Sequence, residues 1–142
     1  MAYISNEIIN EIRNKTDIVD VVSKDVTLIG SYAFYGNTSL RRLNSEVDGV
    51  FNIPTGVTEI KEYTFYQNLE MKEVTLSKDV TSIGSYAFSG CSGFTGNLVI
   101  PNSVTSIGYE TFEGCSGFTG ELVIPNSVTS IGNCAFLSCT SL

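Results

Sequence analysis

The chain has 142 residues, enough for one domain, and its 42% apolar and 16% charged content argues for a folded protein rather than a disordered one. It carries a net charge of −7 and has neither histidine nor tryptophan, so the commonest general base and the commonest metal ligand are missing. All eight Lys and Arg fall in residues 1–78, against eleven acids, while residues 79–142 hold four acids and no base; that half is a poor surface for nucleic acid or an anionic membrane.

The N-terminal "MAYISNEIIN" lacks the basic start and continuous apolar run of a signal peptide, and no stretch reaches the roughly 18 apolar residues of a membrane span. Ser5 is placed to cap a helix whose apolar positions Ile4, Ile8, Ile9 and Ile12 share one face. "IVDVV" (18–22) follows, and the next segment "SKDVT" (23–27) recurs at 77–81. Val21 and Val22 are therefore expected in the strand of an initial coil, with residues 1–25 forming a helical cap and first strand.

From Val26 onward the chain repeats itself. Val-Thr-x-Ile starts at Val26, Val57, Val80, Val104 and Val128, with spacings of 31, 23, 24 and 24 residues. A Phe follows each Ile by five residues: Phe34, Phe65, Phe88, Phe112 and Phe136. Three residues further on comes Asn37, Asn68, Cys91, Cys115 or Cys139, and three beyond that Leu40, Met71, Phe94, Phe118 or Leu142. Such a period, with an Asn/Cys position and regular aliphatics, is the signature of a leucine-rich repeat solenoid. It divides the chain into five units: 26–56, 57–79, 80–103, 104–127 and an incomplete 128–142.

One coil cannot bury an apolar face alone, but coils stacked in register bury each other's. Identical positions then form columns, Ile on Ile and Phe on Phe. "NLVIP" (97–101) and "ELVIP" (121–125) read as strands ended by Pro, and their stacked copies are expected to form a parallel sheet. Gly30, Gly84, Gly108 and Gly132 follow the Ile where the chain must turn, with Lys61 as the exception. "SYAF", "EYTF", "YETF" and "NCAF" then read as short helical or 3₁₀ turns that deliver the Phe inward. The last unit stops at "CTSL" without a cap, as a fragment of a longer protein would, and its open end is expected to favour end-to-end self-association.

"IPNSVTSIGxxxFxGCSGFTG" resembles the BspA-like (Treponema pallidum type) leucine-rich repeats over about 120 of the 142 residues, from residue 23 onward. The resemblance implies a curved solenoid displayed on a cell surface and engaged in adhesion or in binding host or neighbouring-cell proteins. If this chain were complete, the missing leader would instead make it cytoplasmic. "NEIINEIRNKTDIVDVVSKDVTL" (6–28) is also similar to the N-terminus of bacterial DNA primase, without the zinc ligands that follow there. On that basis the alternative is an intracellular scaffold or an orphan fusion product.

Several constellations invite a chemical reading. Cys91, Cys115 and Cys139 share one column and are expected as free thiols, and Cys134 has no column partner; the spacing of zinc ribbons is absent. "NSEVDG" (44–49) opens like a calcium loop with Asn44, Glu46 and Asp48, but Thr55 stands where a bidentate Glu belongs, so it reads as a solvated insertion. The threonines Thr27, Thr58, Thr81, Thr105 and Thr129 form a further column, and Tyr32, Tyr63 and Tyr86 read as half-buried packing. The remaining candidate is the concave sheet. Strand residues alternate in and out, so Val50, Asn52, Glu73, Thr75, Asn97, Val99, Glu121 and Val123 point away from the core. A non-enzymatic module that binds a protein partner there, with no cofactor and no metal, is the expected function.

Overall fold

The structure, a computed structural model, describes residues 2–4, 18–19, 26–95 and 97–142. Every strand pairing is parallel, as stacked coils require. Val-Thr-x-Ile supplies one set of rungs: β3 (Val26–Ile29), β6 (Glu59–Ile60), β8 (Ser82–Ile83), β9 (Ser106–Ile107) and β10 (Ser130–Ile131). The last four form one sheet in the order β10-β9-β8-β6, in register Ile60–Ile83–Ile107–Ile131. A second sheet runs β2 (Ile18–Val19), β4 (Arg42–Leu43), β5 (Val50–Asn52), β7 (Glu73–Thr75).

Between the sheets lie the expected columns. Phe34, Phe65, Phe88 and Phe112 are fully buried, and their rings stack at 5.3–5.4 Å within 11° of parallel, continuing to Phe136. Ile29, Ile60, Ile83 and Ile107 form the second column, and Leu40, Met71, Phe94 and Phe118 a third, all buried. From Asn68 onward the Asn/Cys column works by hydrogen bonding across coils, while Asn37 Oδ1 accepts from Ser39 and Leu40 N–H within its own coil. Asn68 Nδ2 donates to the Phe34 carbonyl at 2.7 Å, and the thiols of Cys91, Cys115 and Cys139 donate to the carbonyls of Phe65, Phe88 and Phe112 at 3.1 Å. Thiol and amide thus perform one task, which explains why the sequence exchanges them.

The expected helical turns are not helical. Each coil instead makes two consecutive four-residue turns, closed in the third coil by Ala87 N–H to Gly84 C=O and Cys91 N–H to Phe88 C=O, both at 3.2 Å. The third residue of each turn has positive φ: Tyr32, Tyr63, Tyr86, Glu110 and Cys134 in the first turn, and Gly36, Gln67, Gly90, Gly114 and Ser138 in the second. That is the dihedral a type II turn needs, and it stops a helix from propagating. The amides between these turns point along the solenoid, as when Phe65 N–H donates to Ala87 C=O at 2.8 Å and Phe88 N–H to Thr111 C=O at 2.9 Å. Bonds that a helix would keep to itself hold the coils together here.

Other expectations need correction. The helix expected from Ser5 lies outside the described residues, but Ile4 belongs to a strand, β1 (Ala2–Ile4), paired with β3 through Ile29. Val21 and Val22 also lie outside them, and the early strand that is described is Ile18–Val19. "NLVIP" and "ELVIP" share only one bridge, Val99 to Val123; Pro101 and Pro125 bring no N–H to extend the ladder. The glycines after the Ile open the first turn, as Gly84 does by accepting from Ala87 N–H, but Gly84, Gly108 and Gly132 lack positive φ and do not supply its left-handed residue. They are small because the coils touch there: a Cβ on Gly84 would lie 2.7 Å from Glu62 N. Lys61 takes that position at the junction where β3 and β6 are not bonded as strands.

Candidate functional site

The second sheet, with the neighbouring segments 97–100 and 121–123, buries one face and presents the other. Phe51 and Leu43 are fully buried and Leu98 and Ile100 nearly so, while Glu73, Thr75, Asn97 and Glu121 are exposed. Register brings the sequence-predicted residues together in rows: Val50 opposite Glu73, Asn52 opposite Thr75, and Val99 opposite Val123. Val50, Glu73, Thr75, Asn97 and Val99 line an open groove of about 750 Å³. Asn97 and Val99 also line its neighbour of about 510 Å³, together with Glu121 and Val123. Val99 and Val123 are 73% and 60% exposed, so two branched aliphatics with no core role mark the face.

Asn52 differs from its row-mates. Its Nδ2 donates to the Asn44 carbonyl at 2.9 Å, and Asn44 Nδ2 donates back to the Asn52 carbonyl at 3.3 Å. Its amide therefore holds the 44–49 loop and does not lie open to a ligand. That loop is also more than a solvated insertion. It connects β4 to β5, which pair in parallel as Leu43 opposite Phe51, so the extra length of the first unit adds a rung to the sheet. Asp48 anchors the loop, accepting hydrogen bonds from Arg42 Nε at 2.6 Å and from Arg41 Nη1. The Arg42 guanidinium holds the Asp48 carboxyl below its ordinary value against some desolvation, and Arg41 adds to the effect. Asp48 and Asn44 are thus engaged within the protein, and no group of three or more His, Cys, Asp or Glu side chains placed to hold a metal occurs among the described residues.

Sequence reasoning missed Val47, Lys72 and Thr95, which also line the larger groove. They lie outside the strict alternation: Val47 on the loop between β4 and β5, Lys72 directly before β7 and Thr95 before Asn97. Lys72 lays its stem over Gly49, where a Cβ would lie 2.9 Å from Lys72 Cγ and Cδ. Among the described residues, neither Glu73 nor Glu121 forms an ion pair, although Lys72 lines the same groove as Glu73.

The other constellations are structural. The hydroxyls of Thr81, Thr105 and Thr129 donate to the carbonyls of Thr58, Thr81 and Thr105 at 3.1–3.2 Å, so that column ties coils together. All four cysteines are free thiols; Cys91 and Cys115 are buried, Cys139 half-buried and Cys134 exposed. Burial pushes the Cys91 thiol up to about 12 and raises Cys115 and Cys139 as well. Alkylation of the folded protein at pH 8, read by mass spectrometry, is expected to label Cys134 first and Cys91 and Cys115 only on unfolding. Rapid labelling of Cys115 at native stability would contradict the column.

A family model described as the BspA type leucine rich repeat region matches residues 3–142 in six copies. A leucine-rich repeat protein from Bacteroides ovatus has a similar solved structure (TM-score 0.70, 27% identity), covering 89% of this chain and 30% of that one. The T. pallidum leucine rich repeat protein is similar at TM-score 0.69 and 28% identity, covering 89% of this chain and 50% of that one. A leucine rich cell surface protein from Faecalibacterium prausnitzii shares the fold at TM-score 0.53 and 24% identity, covering 89% of this chain and 46% of that one. The chain thus spans half or less of each of these relatives. No curated protein matches it. The first copy of the repeat begins within the segment expected as a cap, and the primase resemblance of residues 6–28 finds no support in these likenesses.

Proposed function

Because the chain belongs to the BspA-type leucine-rich repeat family, we propose that it is a non-enzymatic binding module that docks a protein partner on the outward face formed by β5, β7 and the neighbouring segments 97–99 and 121–123. The observation that carries this reading is the exposure of Val99 and Val123 beside Glu73 and Glu121, on a side of the coils whose reverse makes the core. Packing does not dictate these residues, and a surface of parallel rows offers many modest contacts at fixed spacing. Glu121 replaces Asn97 between two otherwise identical 18-residue stretches, 91–108 and 115–132. The one difference falls on this face.

We place the module on a cell surface within a longer protein, its partner a host or neighbouring-cell protein. No helix among the described residues is long and apolar enough to cross a membrane.

The test is a binding screen of the purified chain against extracellular-matrix and cell-surface proteins, repeated with Glu73→Lys and Glu121→Lys together. Reversal of two charges on the docking face is expected to weaken a captured partner by about tenfold or more. Equal binding by the double variant would remove the sheet face from consideration.

A further inference from the structure

The ladder of the second sheet stops at β7, its outer strand. Glu73 N–H donates to Gly49 C=O and Thr75 C=O accepts from Ile53 N–H, both at 3.0 Å, so these groups face β5. Across a trans peptide the N–H points opposite to the C=O before it. Leu76 N–H therefore faces away from β5, as do the N–H and C=O of Val74, which lies opposite Phe51. They face the next coil, where one bond begins a junction: Thr95 N–H to Lys72 C=O at 3.0 Å. No further backbone bond joins β7 to residues 97–100 among the described residues.

The interruption opens into the groove of about 750 Å³, which Val74, Thr75 and Leu76 line from one side and Thr95, Asn97 and Val99 from the other. Val74 and Leu76 pack against the core yet are only half-buried. Their counterparts Phe51 and Ile53 in the coil before, and Leu98 and Ile100 in the coil after, are 0–6% exposed. The groove thus reaches down to two aliphatic side chains and, beside them, to main-chain groups that the fold leaves without a partner. A helix has already spent its own N–H and C=O groups and cannot supply both needs. An extended chain can, because its main chain offers donors and acceptors along its edge while alternate side chains point to one face.

We propose that β7 takes up an extended segment of the protein partner as an added strand, bonded to the N–H and C=O of Val74 and the N–H of Leu76. Main-chain pairing supplies the affinity of such strand addition, and pockets for alternate side chains supply its specificity. Here the inward side chains of the segment are aliphatic, because they meet Val74 and Leu76, and the outward ones pass between Thr75 and Val99. The inference rests on the sheet-face reading for its place and adds the way in which the partner is held.

The experiment is amide hydrogen exchange of the whole chain, followed residue by residue by NMR. In the free protein the amides of Val74 and Leu76 are expected to exchange about tenfold or more faster than those of Ile53 and Glu73, which are bonded across β5 and β7. The probe is the peptide acetyl-Thr-Val-Thr-Val-Thr-amide at millimolar concentration, expected to slow Val74 and Leu76 about tenfold and to shift both resonances. Its control carries the same side chains with every backbone amide N-methylated, and is expected to do neither. Equal protection of all four amides in the free chain would show the edge already paired and overturn the proposal. So would a peptide that leaves Val74 and Leu76 unchanged. Equal binding of the N-methylated peptide, read at Glu73 and Val99, would overturn strand addition while leaving side-chain docking on the sheet face standing.

Discussion

Phe88→Ala is expected to lower stability by about 3–5 kcal/mol. Phe88 is fully buried, stacked between Phe65 and Phe112 at 5.4 Å each, with Phe94 tilted against it at 5.9 Å. Truncation removes the ring from three contacts and leaves a void that the column cannot close. The coils on either side are fixed in place by Phe65 N–H to Ala87 C=O and Phe88 N–H to Thr111 C=O, at 2.8 and 2.9 Å. Collapse into the void would stretch those bonds, so most of the cavity survives. For a chain of this size the loss corresponds to a fall of about 10 °C or more in melting temperature, read by circular dichroism. Phe136→Ala is the internal comparison: Phe136 is half-buried and is stacked on one side, against Phe112. Its expected cost is about half as large. Similar effects at both sites would mean that the Phe column does not carry the core.

The second large effect concerns a residue with no side chain. Gly108→Ala is expected to cost about 2–4 kcal/mol, although Gly108 has no positive φ. At a free position with such a backbone, Ala would be neutral or stabilising, because it restricts the unfolded chain. Here its Cβ would lie 2.5 Å from Ser85 N and 2.9 Å from Gly84 C and Ser85 Cα. Those atoms are backbone and cannot swing aside. The two coils must separate, loosening the bond from Gly108 N–H to Ile83 C=O at 2.9 Å and that from Tyr86 N–H to Tyr109 C=O at 2.9 Å. Gly36→Ala is the contrasting case, with φ +64° and nothing within 4 Å of an added Cβ. Its cost is the left-handed strain alone, about 1 kcal/mol. Urea denaturation of both variants should rank Gly108→Ala well below Gly36→Ala in midpoint.

These two substitutions also mark how far the sequence could be read. The columns were legible because register forces each buried position to repeat, so the Ile, Phe and Asn/Cys series could be written down from spacing alone. The outward positions followed from alternation within each strand. The turn geometry was not legible: Tyr, Gln, Glu, Cys and Ser occupy left-handed positions alongside Gly, so no residue type announces them. The glycines after each Ile were expected at a turn and do open one, but only the backbone of the preceding coil reveals why they must be glycine. The rung β4 was hidden because "RRLNSEVDG" carries polar residues that suit a loop, and it becomes a strand through its neighbours β2 and β5. Asn52 was assigned to the binding face by alternation, yet its amide is held by Asn44, a contact created by that same extra rung.

The fold needs the inward face of the sheet and leaves the outward face free, and the functional reading rests on that division. The most direct test places a photo-crosslinking residue at Val123 in one version of the chain and at Thr105, on the inter-coil threonine column, in another. A partner captured in the surface screen is then irradiated with each. Crosslinks from position 123 and none from position 105 are the predicted result; crosslinks from position 105 alone would contradict docking on the sheet.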